Sequence, residues 1–324
     1  EEGIPPEGRT LCVVSALLTG PDSGCELSAR LELGRLCNRD GGEELAFGIL
    51  ADLPDSASPM DEERRAWVDR AKKAVEKLNR KYGGGFYLFF REPSFNARDE
   101  RYMGWERKRG ALVELVRLIR GHDTGLRVES GERAWLSGVK LVITLDSDTC
   151  LTVGSARALA GAMLHPMNRP VVDQKRKIVT SGYGLLQPRV GVELEAANRS
   201  FFSRVFGGLG GVDPYGWAAS DVYHDLFDQG SYTGKGIFDV EAFDACLEGR
   251  FPQGQILSHD LLEGSYLHAG LLGEVELTDG CPYQVRSYFA RLHRWIRGDW
   301  QLLQWLGRRV PKGEGEWEDN PLPV

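Results

Sequence analysis

The sequence predicts an α/β fold, a doubly wound and mainly parallel sheet flanked by helices. Three observations carry that expectation. Apolar runs of strand length alternate with helical periodicity through residue 164, the element order that builds parallel sheets. The runs are continuously apolar, as strands buried on both faces are. Two of them end in Asp52 and Asp146, and open α/β sheets bind ligands at the C-terminal ends of their strands.

Each element has a local reason. Leu11–Leu18 is a Val-rich strand closed by the turn residues Gly20–Gly24, and Ser28–Leu36 reads as the helix after it. Glu44–Asp52 repeats the strand pattern. Asp61 caps a helix running to Tyr82, with Trp67, Ala71, Ala74, Val75 and Leu78 on one stripe, and three glycines stop it. Phe86–Phe90 is a third strand, and Ala111–Arg120 is an amphipathic helix ended by Gly121. Val139–Leu145 runs straight into Asp146-Ser147-Asp148, and Ser155–Leu164 is helical. The second half is less regular, rich in glycine and aromatics from Phe201 through Tyr232, with a helix from about Tyr288 to Leu306.

Composition excludes several classes. Forty Lys and Arg against 47 Asp and Glu leave a net charge of −7, which argues against a nucleic-acid binder. A chain 42% hydrophobic and 27% charged is not disordered. Forty glycines in 324 residues exceed the usual ~7% and point to tight turns and close backbone approaches, as around a ligand. The six cysteines form no C-x-x-C pair, so no zinc site or disulfide framework is read from them; they fit small apolar residues in a reducing compartment. No apolar run approaches the ~18 residues of a bilayer span. The chain opens without Met and ends Pro/Glu-rich, so it reads as one module of a longer protein. The expected division is a domain at 1–307 and a linker at 308–324.

Four constellations could carry chemistry. Asp146 and Asp148, at i and i+2 of an extended segment, point to one side. A hard cation, Mg²⁺ or Mn²⁺, would relieve their repulsion and bridge to phosphate oxygens; a solvated turn is the alternative, disfavoured by the buried strand before it. Asp260 lies in the first turn of a helix that Ser258 could cap, as a general base or as a complement to the helix dipole. Arg291, Arg294 and Arg297 share a helix face suited to pyrophosphate. A membrane-surface helix carrying Trp295, Trp300 and Trp305 is the other reading, and Gly298 and Asp299 interrupt its basic face. Gly230–Gly236 lacks the P-loop spacing; it is a loop holding a polar ligand or a structural turn.

Eight stretches in order carry a resemblance: Gly104–Leu112, Thr144–Thr149, His165–Pro170, Gly184–Arg189, Ser220–Phe227, Thr233–Asp239, Leu257–Gly264 and His293–Gln301. Together they resemble the glycosyltransferase domain of cyclic β-1,2-glucan synthases, glycosyltransferase family 84. These are large bacterial inner-membrane enzymes related to processive family 2 glycosyltransferases. The resemblance implies a type A nucleotide-sugar glycosyltransferase fold on the cytoplasmic face of that membrane, other modules and membrane segments lying in the same longer chain. It implies transfer of glucose from UDP-glucose, with inversion, to the 2-hydroxyl of a growing β-1,2-glucan.

Residue by residue, Asp146 and Asp148 match the family's metal-binding Asp-x-Asp, and Asp260 the base at the end of Thr-Glu-Asp, here Ser258-His259-Asp260. Arg294-Trp295 matches the end of Gln-x-x-Arg-Trp, with Arg291 in place of Gln. The stretch from Lys108 and Arg109 to Leu112 looks like the one that contacts UDP, and Asp52 sits where related enzymes place the acid contacting uridine. Arg294 and Arg297 are expected on the nucleotide, and Trp295, Thr233, Gly234 and Lys235 on the acceptor side. Another β-glucan linkage on the same fold is one alternative, since spacing does not reveal how the acceptor is rotated. A non-catalytic carbohydrate- or nucleotide-binding module is the other, and it predicts the loss of an acid, whereas Asp146, Asp148 and Asp260 are all present.

Overall fold

The computed structural model describes residues 3–206 and 222–322. It divides into two compact units, Glu1–Ser147 with Thr152–Gly161, and Asp148–Leu151 with Ala162–Val324.

The first unit follows the alternation read from the sequence: β1 (Thr10–Leu17), α1 (Ser23–Cys37), β2 (Leu45–Asp52), α2 (Glu62–Tyr82), β3 (Phe86–Arg91), the small hairpin β4 (Ser94–Asn96) and β5 (Arg101–Met103), α3 (Arg107–Arg120), β6 (Leu126–Ser130), α4 (Arg133–Leu136) and β7 (Leu141–Asp146). Its sheet runs β6-β3-β2-β1-β7. β1 is parallel to β2 and β7, β2 is parallel to β3, and β6 closes the edge antiparallel. Every residue of β2 and β3 is buried, which is why these strands read as unbroken apolar runs. Each fully buried side chain of Leu or Phe size contributes about 1.5–3 kcal/mol.

Helix ends obey the capping rules. The Asp61 carboxylate accepts the Arg64 N–H at 2.8 Å, and Gly83 ends α2 in the left-handed region at φ +77°. Two helices start earlier than their sequences suggest, both because a glycine is a contact rather than a breaker. In α1 a β-carbon on Gly24 would overlap Ala71 of α2, and in α3 one on Gly110 would collide with the Trp105 carbonyl. The helix expected from Ser28 therefore starts at Ser23, and the one expected from Ala111 starts at Arg107.

In the second unit the chain continues as β8 (Thr149–Leu151), α5 (Ser155–Leu164, whose first seven residues belong to the first unit), the hairpin β9 (Val171–Asp173) and β10 (Ile178–Ser181), β11 (Leu185–Val192), α6 (Leu194–Asn198), α7 (Phe201–Phe206), α8 (Val222–Phe227), β12 (Gly236–Asp239), α9 (Val240–Leu247), α10 (His259–Leu267), β13 (Ala269–Asp279), α11 (Val285–Gln301), β14 (Arg309–Pro311) and β15 (Trp317–Asp319). Its sheet runs β12-β11-β13-β8, with β11 parallel to β13 and both outer strands antiparallel. The start of the Ser220–Phe227 motif, and 207–221 of the glycine-rich stretch, lie outside the described residues. No helix among the described residues is long and apolar enough to cross a membrane.

The C-terminal expectations need two corrections. The last helix ends at Gln301, and Leu302–Leu306 continues as a 3-10 turn. In the segment 308–324, expected as linker, the described residues 308–322 belong to the second unit. β14 pairs antiparallel with β15, Val310 is fully buried, Glu318 pairs with the buried Arg250 at 2.9 Å, and the Asn320 amide donates to the Trp305 carbonyl at 2.8 Å. The end of the segment is rich in proline and glutamate, but a few contacts anchor it.

Candidate active site

In the first unit the site residues gather at the C-terminal ends of β2, β3 and β7. Asp52 ends β2, and both its oxygens accept from Arg91 at the end of β3, from Nε at 2.9 Å and Nη2 at 2.5 Å. The same guanidinium donates to the carbonyls of Trp105 and Arg107 at 2.7 and 2.8 Å. The Gly104–Arg107 segment thus lies over the pair, and a β-carbon on Gly104 would sit 2.7 Å from the Asp52 carboxyl carbon. Glu106 and Arg107 both have left-handed backbones, φ +51° and +50°. Non-glycine residues hold that conformation at a cost of about 1–2 kcal/mol each, and the Arg91 clamp holds them there. The clamped segment leads into α3, where Lys108 Nζ donates to Asp146 Oδ1 at 2.5 Å.

Two residues expected on the nucleotide are engaged within the protein. Asp52 is buried against Arg91, and Arg109 is buried with its guanidinium 3.5 Å from Glu106. Lys108 and Asp146 are half-buried and paired. A boundary between the units falls within the Asp146-Ser147-Asp148 motif, with Asp146 in the first unit and Asp148 in the second.

In the second unit Asp148 is half-buried and precedes Thr149, whose hydroxyl donates to Asp279 Oδ1 at 2.8 Å. Lys235 donates to Asp279 Oδ2, also at 2.8 Å. Thr233 is pinned by the buried Gln187, whose Oε1 accepts from its N–H at 2.9 Å and its hydroxyl at 3.2 Å. Between them Gly234 turns at φ +87° with its backbone against Asp260. Asp260 is half-buried in the first turn of α10, 3.4 Å from His259 Nε2, and the buried Glu263 lies one turn on. One ligand atom from each of these three side chains lies within 4.8 Å of the others.

Ser258 does not cap α10 through its side chain. It faces α11 instead, where a β-carbon on Gly298 would collide with Ser258 Oγ. One turn on, Gln301 Oε1 accepts the Leu257 N–H at 2.8 Å. Helix α11 is therefore docked on the residues leading into Asp260. Arg294 lies four residues before Gly298 and so on the same stripe. Arg294 and Arg297 are exposed. Arg291 does not join them as a free cation; its guanidinium sits 5.1 Å over the Trp295 ring and covers one face of the aromatic expected on the acceptor side. Trp305, grouped with the exposed tryptophans from sequence, is buried and donates to the Tyr266 hydroxyl at 3.2 Å.

Sequence reasoning missed Arg91 and Asp279, and the contacts that Gly298 and Gln301 make. In the sequence Gly298 reads as an interruption of a basic face, whereas in the structure it is a contact.

No protein-family model matches the chain. A cyclic β-(1,2)-glucan synthase of Rhizobium meliloti, NdvB, is 41% identical to it over 310 residues. The chain is a relative of that synthase. The match covers 94% of this chain and 11% of the synthase, so the chain spans about a tenth of its relative's length. Among solved structures, a mannosyltransferase from Pyrobaculum calidifontis in complex with GDP-Man and Mn²⁺ is 12% identical with a TM-score of 0.44, covering 90% of this chain and 62% of its own. TarS of S. aureus is 10% identical with the same TM-score, covering 89% of this chain and 39% of its own. Both scores fall below 0.5, and the likeness bears no weight beyond that.

Proposed function

We propose that this chain is an inverting glucosyltransferase module that moves glucose from UDP-glucose to the 2-hydroxyl of a β-1,2-glucan. The observation that carries the reading is the 41% identity to the glucan synthase across nearly the whole chain. The local geometry supports it: a half-buried carboxylate, Asp260, stands against bare backbone at Gly234 with an arginine-bearing helix docked beside its loop.

Asp260 takes the proton of the acceptor hydroxyl as that oxygen attacks the anomeric carbon, and the bond to UDP breaks on the opposite face. The electron pair leaves with the diphosphate, so one displacement by one base inverts the centre. Lys108 and Arg294 neutralise charge on the departing diphosphate. Asp146 and Asp148 would hold the divalent cation. Their hard oxygen donors, half-exposed and separated by one residue, fit Mg²⁺ or Mn²⁺. When bound, the cation supplies Lewis-acid stabilisation of the leaving group. Gly234 and the open face of Trp295 present the acceptor sugar. Lys235 and Thr233 shape that turn through Asp279 and Gln187.

The test is incubation of the chain with UDP-glucose, Mn²⁺ or Mg²⁺ and a β-1,2-glucooligosaccharide, followed by linkage analysis. Growth by β-1,2-linked glucose supports the reading. Growth through another linkage retains the transferase and removes the acceptor assignment, and absence of both UDP release and growth overturns it.

A further inference from the structure

We infer that Asp279 is a positioning residue for the transfer, an inference that rests on the transferase reading above. Asp279 closes β13 as a residue 6% exposed, and its carboxylate is shared between two donors. The Thr149 hydroxyl and the Lys235 ammonium each reach one oxygen at 2.8 Å. Each donor adjoins a residue of the candidate site. Thr149 follows Asp148, and Lys235 follows Gly234, whose backbone abuts the Asp260 carboxylate. A second tie runs through the backbone, because the Gly280 N–H donates to the Asp148 carbonyl at 3.2 Å. One buried carboxylate thus anchors the strand that follows a candidate cation ligand and the turn that backs the candidate base.

The energetics favour a fixed arrangement. The Lys235 and Asp279 side chains are 13% and 8% exposed, where salt screens poorly and an unpaired charge is costly. With both carboxylate oxygens engaged inside the protein, Asp279 acts through Thr149 and Lys235 rather than on a substrate.

The experiment compares Asp279→Asn, Lys235→Met, Lys235→Arg and the double variant Lys235→Met/Asp279→Asn, with UDP-glucose, Mn²⁺ and a β-1,2-glucooligosaccharide. Asp279→Asn is expected to lower kcat about 100-fold, the scale of a small misplacement of reacting groups, with the KM for UDP-glucose within about twofold. Lys235→Met should match it, the double variant should lose no more than either single change, and Lys235→Arg should keep most of the rate. Rates are read well below each variant's melting temperature. The inference is overturned if Asp279→Asn turns over like the parent chain. It is equally overturned if the two single losses multiply in the double variant, or if kcat merely tracks the fraction folded. Should Asp279→Asn fail to fold, the Lys235→Met and Lys235→Arg pair decides: equal rates overturn the inference. A parent chain that transfers no glucose counts against the transferase reading itself.

Discussion

Gly234 and Asp260 meet backbone to carboxylate: a β-carbon at position 234 would stand 3.0 Å from Asp260 Oδ1. The turn holds φ at +87°, so glycine answers two demands, a left-handed backbone and the absence of a side chain. Gly234→Ala is expected to cost about 1–2 kcal/mol of stability and to displace the Asp260 carboxylate. Steady-state kinetics should show at least a tenfold fall in kcat with little change in the KM for UDP-glucose. A variant with the parent kcat would separate Gly234 from the site.

Asp260→Asn keeps the size of the side chain and removes the proton acceptor. Transfer should fall by about 10²–10⁴-fold, the range lost with a general base, while UDP binding measured by calorimetry stays near that of the parent chain. Loss of UDP binding would instead give Asp260 a structural part.

Asp148→Ala addresses the cation. The UDP affinity of the parent chain should rise when Mn²⁺ is added, and that increment should disappear in the variant. An undiminished increment would take Asp148 out of the cation site.

Arg91→Met removes the clamp from the Gly104–Arg107 segment and leaves the buried Asp52 carboxylate uncompensated. Breaking a buried pair from one side costs about 3–5 kcal/mol, so thermal melting should show a large drop. At temperatures where the variant stays folded, UDP should bind more weakly, because Lys108 follows the released segment. Unchanged nucleotide affinity would disconnect the clamp from the site.

Val310→Ala tests whether the C-terminal hairpin belongs to the second unit. Val310 has no exposed surface, and truncating it should cost about 2 kcal/mol from lost burial and the cavity left behind. A linker residue would give no measurable change in melting temperature.

The first unit was legible because its central strands are parallel and covered on both faces, so that β2 and β3 read as unbroken apolar runs with Asp52 at the end of one. The second unit was not. In β13 burial is broken from Leu271 to Glu274, and β11 carries Pro188 at a shift of register, so neither shows a clean period. Candidate site residues were found wherever chemistry is written in the residue type, as in Asp146, Asp148 and Asp260. The partners that hold them were not, since nothing local to Asp279 or Arg91 announces a contact 130 residues away at Thr149 or 39 away at Asp52. Glycines misled most: Gly24 reads as part of a turn and Gly298 as an interruption, and both lie inside helices at places where another part of the chain comes too close for a side chain.

The contact between Gly298 and Ser258 limits how the arginine stripe of α11 can be altered. With the Ser258 side chain packed on bare backbone at Gly298 and Gln301 bonded to the Leu257 N–H one turn on, this face of the helix has little room to roll or slide against the loop. The span from Arg294 to any bound diphosphate then depends on the arginine's own reach, and a shorter cation such as lysine could not be accommodated by a compensating tilt of the helix.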